Sequence, residues 1–427
     1  MRTTAIAGAA AIALIVTGAG IAPLQAQAPA STVSAFEGAR LIMGDGRVVE
    51  NGTIVIEGTK IAQVGTAAEI RVPPGAARVS LAGKTIIPAL IDTHTHPSHT
   101  AEALALDLEQ RAYYGVGAIM SLGQDDSLDL LAMRNEIVPG RARYFSVGRG
   151  ITSPLPGCST APYWVTSEAE GRKAVRELAA HKVDIIKIFV DDWGRWHHKK
   201  LTPAIYGAII EEAHSQGLRV TAHMRELEDA KGLLRAGVDA FAHSVRDRDI
   251  DDEGLALFKQ RANLVVNPNL PERGVKVDLS WLRASMTPAE MAALEKRNVD
   301  DPKRQAAFAI QARNTARLSA AGIPLVLGTD GNRPYGPHEE MQDMVIAGLT
   351  PMQVIIAATR NAAEFIRIPD MGTLDAGKSA DFVVLDANPL DDIANTRHIS
   401  AVYLRGAAVD RGPGRGGGVH EGTPLCR

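Results

Sequence analysis

Between Lys84 and about residue 370, short apolar runs alternate with stretches whose apolar residues recur at helical spacing. The strand-like runs are 85–93, 116–122, 143–147, 184–190, 219–223, 240–243, 263–266 and 325–328. Amphipathic helical stretches at 167–181, 203–216, 227–236 and 303–321 lie between several of them. Strands alternating with helices in this way predict parallel pairing through crossover helices, and eight of them predict a (β/α)8 TIM-like barrel of the α/β class. Gly217, Gly237 and Gly322 stand where helices are expected to end.

On either side of this region the period changes to two. Residues 33–84 alternate polar and apolar positions between turns such as Gly44-Asp45-Gly46, and 371–410 returns to the same rhythm. The first stretch is too small to hold a good core alone. The two are therefore read as one composite β-sandwich module, 33–84 plus 371–410, with the barrel of residues 85–370 inserted in it. The Gly- and Pro-rich tail, 411–427, is expected to be flexible.

The start of the chain has a different character. Arg2 precedes an Ala/Ile/Leu/Val run that reaches about Ala22, and Leu24-Gln25-Ala26 follows. This reads as a signal peptide over 1–26, which would make the mature protein periplasmic or secreted. No later run is long enough to span a bilayer. Export would permit a disulfide between Cys158 and Cys426, the two cysteines of the chain, but spacing does not show that they meet. With 45% hydrophobic and 22% charged residues and a formal charge of −3, nothing suggests a nucleic-acid partner. The partner expected is a small-molecule substrate. The sequence sets no oligomeric state and leaves a homo-oligomer open.

Candidate chemistry begins at Asp92-Thr93-His94-Thr95-His96. Alternate strand residues share a face, so His94 and His96 project together from the end of an apolar run. Neutral imidazole is a common metal ligand, and two on one face make half a site. In such barrels the working residues sit where strands end. Four later positions meet that rule. Lys187 lies within the apolar run 184–190, where an unpaired lysine is costly. His223 and His243 end the runs 219–223 and 240–243, and Asp330 follows the run 325–328.

Together His94, His96, Lys187, His223, His243 and Asp330 resemble the ligand set of the amidohydrolase superfamily. The nearest branch in pattern is that of imidazolonepropionase-like and prolidase-like metal-dependent hydrolases. The resemblance extends to Leu327-Gly328-Thr329-Asp330-Gly331, Ala358-Thr359-Arg360-Asn361-Ala362-Ala363 and Gly377-Lys378-Ser379-Ala380-Asp381-Phe382. It departs from the usual pattern at Ala89, where glycine is common, and in the second strand, where relatives carry threonines after Gly115-Val116.

The resemblance implies two divalent metals, zinc by default, bridged by a carbamylated Lys187 and a hydroxide. His94, His96 and Asp330 would hold one metal, His223 and His243 the other, and Asp330 would be the catalytic acid and base. The implied reaction is hydrolysis of a C–N amide or peptide bond in an N-acyl amino acid or dipeptide-like substrate. The alternative is a lactonase or organophosphate esterase using the same ligands. Arg149, Arg225, Arg246 and Arg333 fall just past expected strand ends, where a guanidinium can grip a substrate carboxylate. Tyr335 is a further candidate donor.

Overall fold

The computed structural model describes residues 33–195, 197–412 and 414–417. The signal-peptide expectation and Cys426 lie outside them. Among the described residues no helix is long and apolar enough to cross a membrane.

Both ends of the described chain meet in one mixed sheet of eight strands. Val33–Ile42, Val48–Glu57 and Lys60–Thr66 form an antiparallel meander. Thr85–Pro88 runs parallel to the first of these and antiparallel to Phe382–Leu385, with Ile87 opposite Val383. Ile399–Leu404 and Ala407–Ala408 extend the far edge. Period-two alternation buries Phe36, Ile54, Ile61, Ile86, Phe382 and Val384 in a core of their own. The strands of the two ends therefore run on through a single sheet.

The expected first barrel strand, 85–93, is divided between two sheets. Thr85–Pro88 belongs to the mixed sheet and Leu90–Thr95 to a parallel one. The chain crosses at Ala89, whose N–H donates to Asp381 O while Leu90 N–H donates to Gly115 O. Pro88 has no N–H to continue the ladder.

The remaining strands are parallel. Leu90–Thr95, Val116–Gly123 and Arg143–Arg149 form a three-stranded sheet. Tyr163–Trp164, Ile151–Thr152, Ile186–Val190, Val220–Met224, Ala240–Phe241 and Val265–Val266 form a six-stranded one. The ladders do not run on as one ring. Several strands are only two residues long, because the chain leaves regular pairing early. Run 325–328 makes isolated contacts rather than a ladder: Val326 N–H to Val266 O, Thr93 N–H to Leu327 O, and Leu327 N–H to Ala357 O. Helices Glu168–Ala180, Pro203–Ser215, Leu227–Ala236 and Pro302–Ala320 match the sequence reading to within a residue or so. Ser167, Thr202 and Asp301 cap three of them by accepting first-turn N–H groups.

Arg143 joins the parallel strands to the mixed-sheet segment. Its guanidinium reaches Asp370 Oδ1 at 2.7 Å and the buried Asp381 Oδ2 at 3.1 Å. The start of the tail is also held: Arg411 Nε donates to Tyr113 O at 2.8 Å.

Candidate metal centre

His94 and His96 leave the strand Leu90–Thr95 on one face, as the alternation requires, with ring centroids 5.2 Å apart. Both converge on one carboxylate oxygen. His96 Nε2 lies 2.8 Å and His94 Nε2 3.2 Å from Asp330 Oδ1. The His243 Nε2 is 3.9 Å from the other oxygen. Donor atoms of His94, His243 and Asp330 fall within 4.8 Å of one another, a spacing that can hold a metal ion. The His223 ring stands 4.5 Å from that of His243.

Backbone geometry brings Asp330 there. The residue sits at φ +52°, in the left-handed region, which costs about 1 kcal/mol for a side chain other than glycine. The conformation is clamped by His94 O, which accepts from Asp330 N–H at 2.8 Å and from Thr329 N–H at 3.1 Å. Asp92, fully buried, ties the same two segments. Its Oδ1 accepts from the N–H groups of His94 and Thr329, and its Oδ2 accepts from Thr329 Oγ1. Gly328 makes the approach possible, since a Cβ there would come within 2.0 Å of Asn267 Nδ2 and 2.7 Å of His94 Cβ.

The rings of His94, His223 and His243 are each fixed through a second nitrogen. His94 Nδ1 lies 3.2 Å from Ala242 O, which orients Nε2 toward Asp330. His223 Nε2 lies 2.8 Å from Asp191 Oδ2, leaving Nδ1 for another partner. His243 Nδ1 meets Asn269 Nδ2 at 3.1 Å and the Arg246 guanidinium. Gln124 Nε2 is 3.2 Å from His96 Nε2. Burial pulls His94 down to about 3 and His223 down to about 4, so both rings are neutral near pH 7 with a lone pair to offer. Burial alone would raise the Asp330 carboxyl. The interaction with His94, which carries charge only in the acid range where this carboxyl titrates, and the hydrogen bonds of His94 and His96 hold it well below the usual range instead.

Lys187 is fully enclosed on the strand Ile186–Val190, its Nζ 5.0 Å from the Phe189 ring centroid. No hydrogen-bond partner reaches Nζ, and burial brings the amine down to about 7. The stem lies against Gly123, where a Cβ would sit 2.7 Å from Lys187 Cγ.

The arginines separate. Arg149 donates to the carbonyls of Thr160, Ala161 and Pro162 and lies over the Tyr163 ring, so its guanidinium holds that loop. Arg246 reaches the ligand cluster through His243. Arg225 is exposed, near enough for its charge to act on Asp191 and Arg246. Arg333 pairs with Glu339 at 3.1 Å, 5.8 Å over the ring of fully buried Tyr335. Sequence reasoning missed Asp191, Asn269, Gln124 and Asp92. Asp92 and Asp191 carried a usable signal, a carboxylate inside or just past an apolar strand run.

Known proteins show the same scaffold. Residues 85–409 match the amidohydrolase family. The chain is 26% identical to an imidazolonepropionase of Shouchella clausii, over 80% of each protein. It is 26% identical to an ochratoxinase of Aspergillus niger, over 88% of this chain and 86% of that one. The solved structure of a Xaa-Pro dipeptidase with bound methionine superposes with a TM-score of 0.70 at 21% identity, covering 88% of this chain and all of the other.

The family match and these relatives support a hydrolase acting on carbon–nitrogen bonds. The chain belongs to the amidohydrolase family, whose members are generally metal-dependent.

Proposed function

We propose that this chain is an exported amidohydrolase that uses two divalent metals to cleave an amide or peptide bond in an N-acyl amino acid or dipeptide-like substrate. The observation that carries the reading is the convergence of His94, His96 and His243 on Asp330, beside a buried lysine without a partner. We further read the two parallel ladders and run 325–328 as a (β/α)8 barrel, with the mixed sheet as its inserted-upon module. The single backbone bonds that tie this run to Val266 on one side and Thr93 on the other support that reading.

The donor set suits divalent metals. Four imidazoles and a carboxylate are a mixture that favours zinc, with manganese, cobalt or nickel as substitutes. His94, His96 and Asp330 would hold one ion and His223 and His243 the other, with Lys187 between. A buried ammonium without a partner is costly, whereas an amine near 7 is largely nucleophilic. Attack of that amine on carbon dioxide forms a carbamate and releases one proton, turning the lysine into an anion with two ligand oxygens. When bound, the metals supply an activated water and polarise the scissile carbonyl.

This chain's residues do the rest. Asp330 starts as a carboxylate and takes the proton of the attacking water. It then returns that proton to the departing nitrogen, which cannot leave as an amide anion. Asp191 and Asn269 keep His223 and His243 aimed inward. Arg246, beside His243, is placed to steady an anionic substrate group.

Initial rates on N-acyl amino acids, dipeptides, a lactone panel and a paraoxon-type ester test the proposal. Cleavage of the amides at a kcat/KM at least a hundredfold above the others is expected. A preference for the lactones or the ester would overturn the amide assignment.

A further inference from the structure

Next to the ligand cluster lies a cavity of about 730 Å3, which begins at Thr329 and Gly331, the neighbours of Asp330. Its size falls within the range of small-molecule sites and exceeds what an acetyl group or a small side chain would fill. One wall is aromatic. The Trp281 and Tyr335 rings meet edge to face with centroids 5.8 Å apart. Leu279 and Leu294 add aliphatic surface.

Guanidinium groups back the aromatic wall. Arg397 lies 4.7 Å over Trp281 and Arg333 5.8 Å over Tyr335. The facing acids offset only part of that charge. Glu339 pairs with Arg333 and Asp343 with Arg273, but burial lifts the Asp343 carboxyl to about 7 and Glu340 well above its usual value. Two donors on this lining are buried without an acceptor, the Tyr335 hydroxyl and Arg397 Nε. Two acceptors on the lining, Asn332 Oδ1 and Asp343 Oδ1, are also buried without a hydrogen bond. A buried N–H or O–H left unmade is expensive, so the Tyr335 hydroxyl and Arg397 Nε call for an acceptor that a bound ligand can bring.

We propose that this cavity is the subsite for the substrate arm beyond the scissile amide, and that the arm carries an aromatic ring together with a carboxylate. The ring lies against Trp281 and Tyr335, and the carboxylate takes the Tyr335 hydroxyl and the Arg397 guanidinium. The inference rests on the amide-hydrolase reading above and narrows its substrate class. Small aliphatic dipeptides would leave most of the cavity unfilled.

Isothermal titration calorimetry of the metal-loaded protein with 3-phenylpropionate, propionate and 3-phenylpropanol tests it without any bond being cleaved. The aryl carboxylate should bind at least tenfold more tightly than either comparator. Tyr335→Phe, which keeps the ring and a wild-type melting temperature, should weaken it about tenfold, and Trp281→Ala should do the same. Equal binding of propionate, or an unchanged affinity in both variants, would overturn the proposal. A metal bound by the carboxylate alone would give that equal-binding result. Failure of amide hydrolysis with this binding intact would refute the activity and leave the subsite standing.

Discussion

The Asp191 carboxylate stands 2.8 Å from His223 Nε2, and both side chains are shut away from water. The contact fixes which ring nitrogen of His223 faces the cluster. The same carboxylate accepts the N–H of Trp193 at 2.9 Å, a residue held at φ +58° with its ring 4.7 Å from His223. Asp191 therefore orients the histidine and shapes the loop that covers it.

Asp191→Ala leaves the His223 N–H buried without an acceptor. The variant should lose about 1–3 kcal/mol of stability, and its metal affinity should fall about 10- to 100-fold. Melting temperature and metal retained against a competing chelator are the readouts. Unchanged retention would remove Asp191 from the site.

Lys187 makes a pH prediction for the chelator-treated protein in carbon dioxide-free buffer. Burial places its folded-state titration at about 7, against about 10.4 for an unfolded lysine. Between those values the unfolded state carries more protons. Stability therefore rises with pH across this window, by up to about 1.4 kcal/mol per pH unit, and is lost as pH falls toward 7. Lys187→Met should flatten that slope. Denaturant midpoints from pH 7.5 to 9.5 measure it, and a slope identical in both proteins would contradict the placement of the amine.

Gly123 is the steric partner of that lysine. At φ +94°, an added Cβ would meet Lys187 Cγ at 2.7 Å. Gly75, at φ +81° with nothing within 4 Å, is the control for backbone strain alone. Gly75→Ala should cost about 1 kcal/mol, and Gly123→Ala about 2 kcal/mol more together with lost metal. Urea unfolding of the two variants separates strain from contact. Equal losses would show that Lys187 yields freely.

The contrast between these positions explains what the sequence could disclose. His94, His96, Lys187, His223, His243 and Asp330 were legible because each sits at a fixed place relative to an apolar run, and strand alternation sets where such residues point. Asn269 lies outside regular structure at φ +49°, where no period says which way a side chain faces, and Gln124 follows its strand as an isolated bridge to Arg149, a long-range pairing that the sequence does not display. The sheet change at Ala89 was hidden for a related reason. Thr85–Pro88 and Leu90–Thr95 read as one unbroken apolar run, and only Asp381 and Gly115, distant in sequence, divide it. Tyr335 was legible as a residue of interest, but its burial between Trp281 and Tyr114 depends on tertiary packing.

Metal content per chain tests the central claim most directly. Mature protein purified without chelator, beside Lys187→Ala and His243→Ala, should be assayed by plasma mass spectrometry. The account predicts about two divalent ions per wild-type chain and a clear fall in each variant. One ion or none in the wild type, or equal content in all three proteins, would contradict the paired-metal centre.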